Sequence, residues 1–313
     1  QMIYLFYEIK LTLQQSMSVI TWLNEQQQYN HHLLNKIKTI NLLVRYPVDN
    51  ESVKKENLSI IYIYLMNEDD YYWNEFQIRR AKYMDTLRSR LFSYDVSLSE
   101  KPSFAFYVEN KLKENSVHMS VALSELPLYS HKDDTSSQLA RIGFILGHEL
   151  VHAVDTQGVY HDADGNKNTT EFYKTLSKRI YNETKCFTDQ FTAYGVTSEK
   201  MSHHNILDEI IADNGGLRVA FNTYRRLLMS NVKNISQDIN FTLASDQSFF
   251  LKFGEIMCGH HRGRMLQKYL SNSPYLLERD RVNGALSNNE EFAAAFSCPV
   301  GSPMNPAKKC KVW

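Results

Sequence analysis

The stretch Gly147-His148-Glu149-Leu150-Val151-His152 constrains this chain more than any other part of it. Two histidines four residues apart fall on one face of a helix, one turn from each other. Two imidazoles so placed can hold one zinc ion, at about 2.0–2.1 Å per nitrogen. Glu149 stands beside the first of them, where it can take a proton from a water without binding the metal. The flanking Ile142, Phe144, Ile145, Leu146, Leu150 and Val151 are apolar, so this helix is expected to be largely buried. Buried imidazoles and carboxylates need partners. That favours a metal site over an exposed helix that happens to carry two histidines.

A catalytic zinc takes three protein ligands and leaves one position open. Glu209 is the candidate third, in Asp208-Glu209-Ile210-Ile211-Ala212-Asp213-Asn214-Gly215-Gly216. Read alone, it is as readily an ordinary helical glutamate. With Asp213 it again forms an i, i+4 pair, which suggests Glu209 on zinc and Asp213 behind it. Asp213 would accept the second N–H of a ligand histidine, His148. Asp155 is another candidate for that outer role. The paired histidines His31-His32, His203-His204 and His260-His261 read as solvated.

The rest of the chain reads as mainly helical, with 12 Gly and 7 Pro in 313 residues. Helical periodicity covers Leu33 to Val44, stopped by Tyr46-Pro47. It returns in Tyr72, Phe76, Tyr83, Leu87 and Leu91, from Phe172 to Phe191, Ile206 to Met229 and Phe249 to Met257, with a short last helix from Asn289 to Phe296. Val117, Met119, Val121 and Leu123 alternate with smaller or polar residues, as in a half-buried strand. Asp162 to Asn166 reads as a turn. The 35 basic and 35 acidic residues balance, so no field of one sign favours nucleic acid or an anionic membrane. No apolar run reaches the roughly 18 residues of a membrane helix, and no signal peptide opens the chain. Four cysteines permit two disulfides in three pairings. Asn50, Asn57, Asn168, Asn182, Asn234 and Asn240 each open a glycosylation acceptor. Together these tilt the reading towards an extracellular or luminal setting.

Three segments now carry a resemblance: Gly147 to Asp155, Glu209 to Leu217, and the terminal Met304-Asn305-Pro306-Ala307-Lys308-Lys309-Cys310-Lys311-Val312-Trp313. They resemble the neprilysin and endothelin-converting-enzyme family of zinc metallopeptidases. Weaker likenesses lie at Trp22-Leu23, Arg45-Tyr46-Pro47 and Cys258-Gly259-His260-His261-Arg262. The likeness runs through nearly the whole chain but matches only about the C-terminal two-fifths of a full-length member. It implies an α+β, mainly helical fold, with a thermolysin-like catalytic lobe and a small sheet from about residue 73 to 313. Residues 1–72 would be the end of a helical covering lobe, the rest of which, with the membrane anchor, precedes it in the family. It also implies one Zn2+ per chain, peptide substrates cleaved before apolar residues, a cell-surface or extracellular setting, and a Cys186–Cys310 disulfide. Cys258 and Cys298 would be unpaired or joined to each other. Ile145 and Met257 are candidate walls of the substrate pocket.

The chain departs from that family at three places. Ile210 stands where the second motif usually has Asn. Phe106-Tyr107-Val108-Glu109-Asn110 does not reproduce the segment that grips substrate backbone. Arg281 resembles the arginine that holds a substrate carbonyl, but the histidine expected before it is replaced. One alignment puts Asn272 there and another puts Tyr275. Losing one oxyanion donor slows such a reaction about 10²–10³-fold. Two readings follow: an active zinc endopeptidase with Glu149 as base, or a zinc-loaded, catalytically impaired peptide-binding relative.

Overall fold

The computed structural model describes residues 1–45, 67, 69–92, 105–124, 128–197, 201, 206–231, 239–273 and 275–313. Two compact units divide the chain. One comprises Gln1–Val44, Tyr107–Met119 and Leu123–Trp313; the other comprises Arg45–Phe106 and Ser120–Ala122.

In the first unit, helix α1 (Met2–Ser18) buries Leu5, Phe6, Ile9, Leu13 and Met17 along one stripe. Helix α2 (Gln27–Thr39) buries Leu33, Lys36 and Ile37. The helical period expected to run on to Val44 ends at Thr39, and Asn41–Arg45 is strand β1. Leu42 and Val44 are half-buried while Asn41 and Leu43 are exposed, a period of two that so short an apolar run does not announce.

Strand β1 lies beside β3 (Ser116–Ser120), which pairs antiparallel with β2 (Val108–Lys111), Val108 opposite Met119. The β2–β3 turn passes through Asn115 at φ 44°, a left-handed conformation that Asn tolerates better than most residues. Strand β3 was expected to be half-buried and longer. It is buried on both faces, and a 3₁₀ turn over Val121–Ser124 ends it. Its His118 meets Ser116 at 2.9 Å and Glu114 at 2.8 Å.

The second unit holds helix α3 (Tyr71–Phe92). Tyr72, Phe76 and Tyr83, expected to form a buried face, are exposed there. The side chains of Leu87 and Leu91 lie outside the described residues.

The metal motif lies on α4 (Phe144–His152), after a capped turn at Thr135–Gln138 and a π-helical turn at Leu139–Gly143. The segment expected as one helix is two, α5 (Glu171–Glu183) and α6 (Lys185–Ala193). At the break, the Thr184 hydroxyl donates to the Ile180 carbonyl at 2.8 Å. Four helices complete the chain: α7 (Ile206–Asn231), α8 (Ile239–Ile256), α9 (Gly263–Asn272) and α10 (Glu278–Ser287). A final α11 (Glu290–Ala295) is capped by Asn289, which accepts from the Phe292 N–H at 2.7 Å. The Cys186–Cys310 disulfide ties α6 to the C-terminal tail, while Cys258 and Cys298 are unpaired. Among the described residues no helix is long and apolar enough to cross a membrane.

Candidate metal centre

The site is made where α4 crosses α7, and glycines set the closeness of that crossing. A Cβ on Gly147 would lie 3.0 Å from the Gly216 carbonyl oxygen, and one on Gly216 would lie 2.6 Å from the His148 nitrogen. At Gly215 a Cβ would meet the Val151 side chain at 2.9 Å and Trp313 at 3.3 Å. The terminal Trp313 thus packs over the same crossing, beside Trp22. The Gly215-Gly216 pair brings the two i, i+4 pairs face to face.

The structure brings His148, His152 and Glu209 together, with one ligand atom of each within 4.8 Å of the others. His148 Nε2 is 3.2 Å from Glu209 Oε2, His152 Nε2 is 3.7 Å from Glu209 Oε1, and the two Nε2 atoms are 3.0 Å apart. Each ring is turned by a carboxylate on its other nitrogen. His148 Nδ1 is 3.0 Å from Asp213 Oδ1, and His152 Nδ1 is 2.8 Å from Asp155 Oδ2. An ionised carboxylate only accepts, so each Nδ1 carries the hydrogen and each Nε2 presents a lone pair.

Two lone pairs and a carboxylate therefore converge with no hydrogen between them. Consistent with this, Glu209 Oε2 is buried without a hydrogen bond. Such a donor set fits a divalent cation that favours nitrogen and oxygen ligands. Without one, a proton must take its place. Burial opposes charge on both rings, but Asp213 and Glu209 raise His148, and Asp155 and Glu209 raise His152. Burial likewise opposes ionisation of Glu209, yet the two histidines hold it far below the usual carboxylate range.

Arg281 on α10 closes the His148 side. Its Nε donates to Asp213 Oδ2 at 2.7 Å and its Nη2 to Asp213 Oδ1 at 2.6 Å. Burial would raise the Asp213 pKa, and Arg281 outweighs it and lowers the value. The Tyr275 ring lies against Arg281, 4.9 Å from ring centre to guanidinium carbon. Burial, with Glu209 and Glu149 next, pushes the Tyr275 phenol up to about 12. Asn272 ends α9, and its side chain is outside the described residues.

Glu149 is half-buried on α4, and its backbone carbonyl accepts from Asn110 Nδ2 at 2.6 Å, which pins β2 to the metal helix. Ile145 on α4 and Met257 after α8 are half-buried against the core. Asn168 is half-buried and Asn182 exposed; Asn50, Asn57, Asn234, His203 and His204 lie outside the described residues, as does the Asn240 side chain. Of the other paired histidines, His31 and His260 are exposed. His32 meets the Val159 carbonyl at 3.3 Å and His261 meets Glu278 at 3.0 Å.

Sequence reasoning passed over two groups here. Asn110 gave no sequence signal, since its reach to Glu149 is a long-range contact. Asp208 did give one, being an acidic residue beside Glu209 in an apolar first turn. It is buried and accepts from Thr156 N at 3.0 Å and Thr156 Oγ1 at 2.6 Å. Burial and neighbouring Asp155 push it up to about 7.

Residues 105–312 match the model of peptidase family M13. The chain belongs to that family. Endothelin-converting enzyme 1 of Rattus norvegicus is 31% identical over 312 residues, 98% of this chain and 40% of that protein. The Homo sapiens enzyme is 30% identical over 311 residues, 98% of this chain and 39% of that protein. This M13 chain thus spans about two-fifths of the length of the curated relatives it matches. Two solved structures share its fold. A zinc metalloprotease of Mycobacterium tuberculosis in complex with inhibitor superposes with a TM-score of 0.77 at 22% identity, covering 99% of this chain and 46% of that one. The Haemonchus galactose-containing glycoprotein complex superposes with a TM-score of 0.74 at 22% identity, covering 98% and 48%. The mainly helical α+β architecture with its small sheet is therefore that of M13 peptidases.

Proposed function

We propose that this M13 chain is the catalytic part of a zinc-dependent metalloendopeptidase that hydrolyses peptides on the amino side of apolar residues. The observation that carries the reading is the convergence of one ligand atom each from His148, His152 and Glu209 within 4.8 Å of one another, with a carboxylate on the far nitrogen of each ring. His148, His152 and Glu209 would hold one Zn2+. When bound, zinc supplies Lewis acidity to the scissile carbonyl and acidifies a water. Glu149 takes a proton from the attacking water and passes it to the departing amine. Asp213 and Asp155 keep the two Nε2 lone pairs pointed inward. Arg281 commits Nε and Nη2 to Asp213, which leaves Nη1 to reach a substrate carbonyl. Ile145 and Met257 would face the apolar side chain after the cleaved bond.

In this reading residues 73–313 are the catalytic domain and residues 1–72 the end of a covering lobe, with the first 44 packed into the unit that carries the site. The Cys186–Cys310 disulfide and the exposed acceptor at Asn182 support a setting outside the cell or at its surface. A longer ectodomain would contain this chain.

Digestion of a peptide library by the zinc-loaded protein tests the proposal. Wild type should cleave before apolar residues, chelated protein should not, and Glu149→Gln should retain about one zinc per chain while losing turnover. Absence of turnover by zinc-loaded wild type counts against it. A second reading, an impaired zinc-binding relative that holds peptides, is favoured by Tyr275 standing against Arg281 where a histidine is expected. It predicts peptide binding without cleavage, and turnover restored by Tyr275→His or Asn272→His. Efficient cleavage by wild type would end it.

A further inference from the structure

Lys36 on α2 is fully buried, a condition lysine almost never meets unless paired. Its Nζ donates to the Gly158 carbonyl. Among the described residues no carboxylate lies within ion-pair distance of it, and its charge faces Asp155 and Asp162. Asp155 is buried too. Its Oδ1 accepts from the Gln157 N–H at 2.9 Å and the Gly158 N–H at 2.6 Å, while Oδ2 takes His152 Nδ1 at 2.8 Å. Gly158 is therefore held at both ends, its N–H by Asp155 and its C=O by Lys36. The peptide there has no room to shift, since a Cβ on Gly158 would lie 2.0 Å from the His152 carbonyl oxygen. Asp208, bonded to Thr156 in the same loop, puts a second buried carboxylate on this side. A buried carboxylate in this loop calls for a counter-charge, and Lys36 faces Asp155 from outside the segment that carries the motif.

We propose that Lys36 is a positioning residue of the metal centre, acting through Gly158 and Asp155 to hold the His152 ring in its ligand orientation. The inference rests on the zinc reading above. It assigns α2 a part in the metal site in addition to its place in the core. Partners of this outer kind change metal affinity about 10–100-fold when removed.

Zinc affinity of the full chain, measured by chelator competition, provides the test. Lys36→Met keeps the stem and removes the charge, and it should weaken zinc about tenfold. Asp155→Asn should weaken it at least as much. The double variant should be no weaker than Asp155→Asn, because the lysine acts through the aspartate. Leu33→Ala, one turn before Lys36 on the same helix and carrying no charge, should lower stability and leave zinc affinity within about twofold. Should Lys36→Met not fold, Lys36→Gln is read against Asp155→Asn in the same way. Wild-type affinity in the Lys36 variant overturns the proposal. So do additive losses in the double variant, or an equal loss in Leu33→Ala. Wild type that binds no zinc at all sinks the zinc reading itself, a result distinct from each of these.

Discussion

The two histidines of the centre stand one turn apart on a single helix, yet the structure holds them by different means. Behind His148, Asp213 and Arg281 form a two-pronged ion pair between α7 and α10. Behind His152, Asp155 sits on a loop and is satisfied by backbone N–H groups, with Lys36 reaching only the loop carbonyl. The first side is built from side-chain charge on packed helices. The second is built from backbone geometry with a cation at one remove. Sequence spacing makes the two alike, and only their outer partners distinguish them.

The largest expected difference comes from removing each carboxylate. Asp213→Ala strands a buried guanidinium and should cost about 3–5 kcal/mol of stability. Asp155→Ala strands two backbone donors and one imidazole, and should cost about 1–3 kcal/mol. Urea unfolding of both variants in metal-free buffer measures them. Equal losses would break the comparison.

The two sides should also titrate at opposite ends of the pH scale. Asp213 is held below its ordinary value by Arg281. Its contribution is present above the unfolded carboxylate range and lost as pH falls through the lower folded value. Lys36 gives a slope of the same sign at the alkaline end, but by disfavouring its charge, because burial lowers it from 10.5 to about 8. Between those values the unfolded chain binds the proton and the folded chain does not, so stability rises with pH across that window, by roughly 3 kcal/mol at most. Urea unfolding from pH 7.5 to 10.5 should show the rise in wild type and its absence in Lys36→Met. Parallel curves would remove the charge difference between the two sides.

Much of this centre is legible in sequence because it is local. His148, Glu149 and His152 share one helical turn, and Glu209 and Asp213 share another, so periodicity alone gives each pair its common face. The apolar flanks of α4 foretell its burial. What joins the turns is not local. Arg281 meets Asp213 across 68 positions, Asn110 meets the Glu149 carbonyl across 39, and Lys36 meets Gly158 across 122. None of these leaves a period or a spacing to read; Arg281 was singled out only through resemblance, and Lys36 looked like any polar helical residue. The strand errors have a related cause. Asn41–Arg45 is too short for its period to declare itself, and β3 is buried on both faces, which its alternating pattern does not announce.

The smallest expected effect concerns how the His148 side is tied to the chain's end. Asn288, buried after α10, donates through Nδ2 to Asn214 Oδ1 at 2.9 Å and accepts the Cys310 N–H at 2.9 Å through Oδ1. Asn214 follows Asp213, and Cys310 is fastened to α6 by the disulfide. This amide therefore couples the terminal tail to the helix that carries Asp213. Asn288→Ala leaves those groups buried and unpaired, at a cost of about 1–3 kcal/mol. Because Asp155 and Lys36 share no partner with Asn288, its loss should add to that of Asp155→Ala but not to that of Asp213→Ala. Urea unfolding of the two double variants decides it. Additivity in both would mean that the tail steadies the fold without reaching the Asp213 side, and the difference between the two histidines would then rest on Arg281 alone.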